Sequence, residues 1–353
     1  MTITKVWRVN EADTQPLRAQ LHEAASMLSE GGLVAFPTET VYGLGADARS
    51  TAAVGRIFAA KGRPSDNPLI VHIAHRRQLD ELVLPYPKLA AALMDRFWPG
   101  PLTIVLPARP GALSPLVTAG LPTVGVRIPD HKAALELLEL AGCPVAAPSA
   151  NRSGRPSPTL AEHVLDDLNG RIDGVVDGGA TGVGLESTVI ELVGDHTIRI
   201  LRPGGITREE LQKAAPDAAV DSASADQPEA APRSPGMKYA HYAPQGELQL
   251  VHGAPEAVIA YIRSQVEAAW QRGEVTGVLA FEERLAAYEA DIVVSCGSES
   301  ELAAAAHRLY AALRRFDAAG AQRIWAESCT EQGIGAALMN RMAKAAGNRI
   351  IYV

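Results

Sequence analysis

Short, almost wholly apolar runs punctuate this chain, and between them apolar residues recur at helical spacing. Runs at Leu33–Phe36, Leu69–Ile73, Leu102–Leu106 and Pro144–Ala147 read as buried strands, and further strands are expected at Gly174–Val176, Ser187–Leu192 and Thr197–Leu201. Thr123–Ile128 alternates, so Thr123, Gly125 and Arg127 share one face while Val124, Val126 and Ile128 share the other. An amphipathic helix is expected from Pro16 to Glu30, with proline in its first turn and Gly31-Gly32 ending it. Ser50 or Thr51 caps a second helix reaching Ala60, with Val54, Ile57 and Phe58 on one face, and a third spans Lys132–Ala141. The glycine-containing stretch from Pro37 to Gly45 reads as a turn.

From Ala214 to Ala231 the pattern lapses into an acidic, alanine-rich stretch with few large apolar residues, which reads as a mobile linker. The segment that follows, Arg233–Pro244, is aromatic and basic, as suits a strap that docks on something. After Gly246, strands at Leu248–Val251, Gly277–Phe281, Ile292–Val294, Arg323–Ala326 and Arg349–Val353 alternate with helices at Pro255–Gln271, Glu299–Ala318 and Ile334–Ala346. This alternation predicts a small doubly wound α/β domain with a mostly parallel sheet. At 353 residues the chain exceeds one compact core. The expected division is a first domain over 1–212, a linker and strap over 213–246, and a second domain over 247–353.

Composition narrows the function classes. The chain is 47% hydrophobic, but its apolar runs fall far short of a membrane span, and the N-terminus lacks a secretory pattern. Three scattered cysteines, Cys143, Cys296 and Cys329, give neither zinc spacing nor a disulfide framework, so a reducing cytoplasm is expected. A net charge of −7 argues against bulk nucleic-acid binding while leaving room for a local basic cleft.

Candidate chemistry gathers in two polar segments. Lys61-Gly-Arg63-Pro ends a helix and is followed by Asn67-Pro-Leu; Pro148-Ser149-Ala-Asn151-Arg-Ser-Gly-Arg-Pro-Ser157 follows a strand. Cations at a helix C-terminus offset its dipole, and Lys61 and Arg63 also suit phosphate oxygens. Thr38, Glu39, Thr40 and Tyr42 follow a buried strand, where ligands gather in open α/β sheets, although capping threonines in a turn give the same pattern. His72 within an apolar strand reads first as a satisfied core histidine. A buried Arg127 needs an anionic partner, from the protein or a ligand. Ser149 as a nucleophile would need a base such as His163, but no Gly-x-Ser-x-Gly elbow is present, nor a Walker A or kinase motif set. Gly333-Ile-Gly335 is a bare helix start.

Taken together, Pro37–Gly45, Lys61-Gly-Arg63-Pro, Asn67-Pro-Leu, Trp98-Pro-Gly-Pro-Leu-Thr, Pro148-Ser-Ala-Asn-Arg-Ser-Gly, Glu186-Ser-Thr188 and the strap Ser234–Pro244 resemble the YrdC-type L-threonylcarbamoyladenylate synthases in their two-domain form. The resemblance implies an N-terminal twisted mixed sheet with a concave basic cleft, a linker strap and a smaller C-terminal Rossmann-like α/β domain. It also implies a nucleotidyltransferase that joins L-threonine, bicarbonate (or carbon dioxide) and ATP, brought with Mg²⁺, into threonylcarbamoyl-AMP and pyrophosphate. The product would be handed to a tRNA threonylcarbamoyl transferase complex for N6-threonylcarbamoyl modification of adenosine 37, with a weak tRNA contact of its own and no membrane. Carried over residue by residue, Lys61, Arg63, Asn67, Thr123, Ser149, Asn151, Ser157, Arg202 and Tyr242 would contact ATP. Thr40, His72, Arg127, Ala147 (through its backbone) and Ser187 would surround threonine. Lys61, Arg63, Ser149 and Asn151 would serve catalysis, with no metal held by protein side chains alone.

The implied chemistry needs no protein nucleophile: a carbamate of threonine attacks the α-phosphorus, and alignment with fixed charge lowers the barrier. Two other readings remain at this stage. A carbamoyl-adenylating module of hydrogenase maturation normally adds acylphosphatase-like and Cys-x-x-Cys zinc segments absent here. A tRNA- or double-stranded-RNA-binding protein would lean on the cleft alone, against the acidic charge and the missing aromatic platform.

Overall fold

The computed structural model describes residues 3–10, 16–222 and 241–353. These fall into two compact units. The first holds the described residues up to 222 except Gly154–Ser157 and Val183–Leu185; those two short segments belong with 241–353 in the second.

The first unit is built on a sheet of β1 (Lys5–Arg8), β2 (Val34–Phe36), β3 (Gly43–Asp47), β4 (Ile70–His72), β5 (Leu102–Pro107), β6 (Thr123–Arg127), β7 (Val145–Ala146), β8 (Gly174–Asp177), β9 (Thr188–Val193), β10 (Thr197–Arg202) and β11 (Ala219–Ser222). The spatial order is β1-β8-β2-β3-β7-β4-β6-β5-β9-β10-β11. Pairing is mixed: β4 with β6 and β5 with β9 are parallel, whereas β5 with β6 and β9 with β10 are antiparallel. Its helices are α1 (Leu17–Ser29), α2 (Thr51–Lys61), α3 (Leu79–Leu82), α4 (Lys88–Phe97), α5 (Pro115–Thr118), α6 (Lys132–Ala141), α7 (Ala161–Leu168) and α8 (Arg208–Ala214).

Alternation along the central strands sorts their side chains into two faces. Val71, Val124, Val126, Leu102, Ile104 and Ile190 enter the main core, with Val54 and Ile57 of α2 and Leu93 of α4. On the opposite face Val34, Phe36, Val145 and Ala147 pack with Leu21 and Leu28 of α1 and Leu137 and Leu138 of α6, and Ile70, Val105, Val189 and Leu201 form a separate, smaller cluster. His72 and Arg127, in register on adjacent strands, stand on that second face. Both faces of the sheet thus carry apolar cores, and the polar side chains His72 and Arg127 lie on the second face between its larger and smaller clusters.

Local signals account for most elements. Ser50 caps α2 by accepting the Ala53 N–H, and Gly62 ends it in the left-handed region at φ 62°. Helix α6 spans the predicted residues. Two expectations are corrected. The stretch read as a turn over Pro37–Gly45 runs into strand β3, antiparallel to β2. The stretch read as linker contains β11, which pairs in parallel with β10 through the buried Val220. Strand β1 and helices α3, α4, α5, α7 and α8 were not anticipated.

In the second unit, β12 (Glu247–His252), β13 (Thr276–Ala280), β14 (Ile292–Ser295), β15 (Arg323–Glu327) and β16 (Ile350–Tyr352) form an all-parallel sheet in the order β14-β13-β15-β12-β16. Helices α9 (Pro255–Gln271), α10 (Leu302–Ala318) and α11 (Gly335–Ala345) provide three of the crossovers, and a 3₁₀ turn at Glu282–Ala287 the one from β13 to β14. Val251, Ile262, Val278 and Trp325 are part of its core. This is the predicted Rossmann-like pattern. Of the strap, residues 234–240 lie outside the described residues, and His241–Pro244 lie within them.

Candidate functional site

Arg127 ends β6 almost wholly buried, at 2% exposure. Its guanidinium donates to Glu39 Oε2 at 2.6 Å and to Thr40 Oγ1 at 3.1 Å. Thr38 bonds Thr40 at 2.7 Å and donates to the Val41 carbonyl, so the Thr-Glu-Thr loop after β2 is wired to the end of β6. Burial pulls the Arg127 guanidinium below its usual value, and the Glu39 carboxylate opposes that pull. Beside it, burial and the Arg127 charge hold the His72 imidazole well below the ordinary histidine range, so it is neutral. Among the described residues, Glu39 Oε1, Arg127 Nε and His72 Nδ1 are buried without protein partners. Such atoms normally find one, at a cost of about 1–3 kcal/mol each when they do not. A donor and an acceptor left open side by side suit a small polar ligand.

A second group forms where α2 ends. Asn67 is fully buried, yet among the described residues neither its Oδ1 nor its Nδ2 has a partner. Arg63, half-buried, crosses the same loop and donates to the Asn67 carbonyl at 3.3 Å. Lys61 Nζ reaches the Ser149 and Asn151 carbonyls at 2.5 and 2.6 Å. Burial, followed by the nearby Arg63 charge, drives the Lys61 ammonium well below its usual value. The Ser149 loop is anchored on its other side by β3: Leu44 N–H donates to the Pro148 carbonyl and Ala150 N–H to the Tyr42 carbonyl, while Ala147 N–H donates to Ile70. The first polar segment and the second are thus brought together.

A third group lies at β9. Ser187 Oγ bonds Thr103 Oγ1 at 2.8 Å, and Arg202 donates to the Ser187 carbonyl at 2.9 Å and to its hydroxyl at 3.2 Å. An irregularity between Ile200 and Arg202 breaks the β9–β10 register at this point. Thr123 is half-buried at the start of β6. Ser157 and Tyr242 fall in the second unit, where Tyr242 packs its ring 5.3 Å from that of Tyr310. His163 Nδ1 accepts from the Thr159 N–H just ahead of α7, a local contact.

Sequence reasoning left two participants without a role. Glu39 was visible inside the Thr-Glu-Thr motif, but nothing in one sequence pairs it with Arg127, 88 positions away. Thr103 was read as strand interior; a fully buried threonine in an apolar run was its only signal. Among the described residues, no group of three or more His, Cys, Asp or Glu side chains could hold a metal ion.

Comparison with known proteins decides the family. The Sua5–YciO–YrdC family model, described as telomere recombination, matches residues 26–204, and the model of the threonylcarbamoyl-AMP synthase C-terminal domain matches 206–347. A threonylcarbamoyl-AMP synthase of Bacillus subtilis is 52% identical over 349 residues, covering 99% of each chain. The chain belongs to the threonylcarbamoyl-AMP synthase family. A family member from Pyrococcus abyssi is 47% identical over 330 residues, 94% of this chain and 95% of its own. The solved structure of P. abyssi Sua5 complexed with L-threonine superposes with a TM-score of 0.91 at 44% identity, covering all of both chains. As a threonylcarbamoyl-AMP synthase family member, the chain is an enzyme of the nucleotidyl-transfer type.

Proposed function

We propose that this enzyme joins L-threonine, bicarbonate or carbon dioxide, and ATP into threonylcarbamoyl-AMP, releasing pyrophosphate. The observation that carries the reading is full-length kinship with the B. subtilis synthase; the first unit's unsatisfied buried polar atoms fit it. Threonine lies against Thr40, His72, Arg127, the Ala147 backbone and Ser187. Arg127 Nε offers an N–H to its carboxylate, and the neutral His72 accepts or donates one hydrogen bond without repelling the substrate ammonium. Arg63, Asn67, Thr123, Ser149, Asn151 and Arg202 take the nucleotide, with the Arg63 fork suited to phosphate oxygens.

The amine of threonine attacks the carbon dioxide equivalent, and the resulting carbamate oxygen attacks the α-phosphorus of ATP. No covalent enzyme intermediate is needed; fixed donors stabilise charge on the departing pyrophosphate. Mg²⁺ arrives with the triphosphate as part of the substrate. The product passes to a tRNA threonylcarbamoyl transferase that modifies adenosine 37, which places the enzyme in the cytoplasm. No helix of the described residues is long and apolar enough to cross a membrane.

The test is direct. Purified protein with threonine, bicarbonate and Mg²⁺-ATP should yield equimolar pyrophosphate and an adenylate containing threonine, and omitting threonine should abolish both. Pyrophosphate release that does not need threonine would instead favour the carbamoyl-adenylating reading.

A further inference from the structure

One residue ties the Ser149–Asn151 loop to the end of α2. Lys61 Nζ donates to Ser149 O at 2.5 Å and to Asn151 O at 2.6 Å, and lies 3.4 Å from Asn151 Oδ1. An ammonium has three donors, and all three point at this loop. The main chain closes the tie from the other side, because Ser153 N–H donates to the Lys61 carbonyl at 2.9 Å. The lysine is 3% exposed. A cation at a helix C-terminus ordinarily snorkels into water to offset the dipole. This one instead turns inward onto carbonyls about ninety positions away in sequence.

We propose that Lys61 is a positioning residue: it latches the Ser149–Asn151 loop against α2 and acts on the substrates only through that loop. A buried amine saturated by two main-chain carbonyls and an amide oxygen has no donor left for a phosphate. The same strand-and-loop segment carries Ala147, so the latch governs threonine as well as nucleotide. This rests on the function proposed above, and it departs from the expectation that Lys61 meets the phosphates itself.

The two roles separate experimentally. Lys61→Met keeps the length of the side chain and removes its donors. The latch predicts that this variant weakens L-threonine binding in the absence of nucleotide by about ten-fold or more, a scale set by losing hydrogen bonds from a charged group. It also predicts comparable weakening of AMP and ATP, and faster hydrogen exchange at the amides of Ala150, Asn151 and Ser153. Lys61→Arg should remain impaired, because a planar fork does not reproduce a point donor between converging carbonyls, whereas a phosphate site would be rescued by it. Native threonine affinity and native exchange in either variant, with ATP and pyrophosphate binding alone weakened, would overturn the latch. If Lys61→Met does not fold, the same measurements on Lys61→Arg decide. If the native protein binds no threonine, the function reading fails, while the exchange comparison still tests the latch.

Discussion

The Glu39–Arg127 pair shows how much depends on single buried charges. The two side chains are 11% and 3% exposed, so each is held away from water by the other's presence. Removing one member of such a pair leaves an uncompensated charge. Glu39→Gln should therefore lose about 3–5 kcal/mol of stability, read as a lower urea midpoint, and should raise the threonine KM by releasing Arg127. An unchanged midpoint would mean that Arg127 finds another counter-charge. His72 makes a separate prediction. Its folded pKa lies well below the usual value because burial and Arg127 disfavour the imidazolium. The unfolded chain, with a histidine pKa of about 6.5, therefore binds more protons than the folded one as pH falls below that value. Stability contributed by keeping His72 neutral is complete above about pH 6.5 and declines on acidification. His72→Gln should shrink the difference in urea midpoint between pH 7.5 and 5.5. A difference as large as in the native protein would assign the acid sensitivity to other groups.

Elements were legible where the pattern was periodic and obscure where sheet pairing overrode composition. Helix α6 and strands β4, β5 and β6 follow from their own residues. Strand β3 does not: Gly43 and Gly45 read as turn residues, yet both are in the strand, and at Gly45 the neighbours leave no room for a side chain. A Cβ on Gly45 would sit 2.8 Å from both Phe36 Cε1 and Val145 Cγ1. The glycine is required by close packing, not by an unusual φ. Gly45→Ala should cost about 1–3 kcal/mol through overpacking. Because β3 and the Tyr42 before it also anchor Pro148 and Ala150, it should raise the threonine KM more than the loss of stability alone explains. A variant destabilised with native KM would show that the loop is held without β3. Strand β11 was missed for the opposite reason. Its Ala-Val-Asp-Ser sequence has one buried side chain, and only the open edge of β10 makes a strand of it.

At the scale of the whole molecule, the chain's division was only partly visible. The alternating pattern after Gly246 announced a second parallel-sheet unit, but composition along a sequence cannot reveal that short segments far upstream belong to it. Val183–Leu185 is such a segment. Gly184 adopts φ 79°, where an L side chain is strained. A Cβ there would lie 2.4 Å from His307 Cα and 2.6 Å from its carbonyl oxygen, so backbone, and not a flexible side chain, would have to move. The two penalties act together: about 1 kcal/mol or more for the left-handed conformation and about 1–3 kcal/mol for the overlap. Gly184→Ala should therefore destabilise the second unit by at least about 2 kcal/mol, although the substitution lies some sixty residues before that unit's own sheet begins. Urea unfolding followed by fluorescence of Trp325, buried in the second unit's core, reads that unit specifically. With the other tryptophans replaced by phenylalanine, its midpoint should fall. If the Trp325 transition stays in place while the protein loses stability elsewhere, the segment is energetically part of the first unit, and the boundary inferred from compactness is not the one that governs folding.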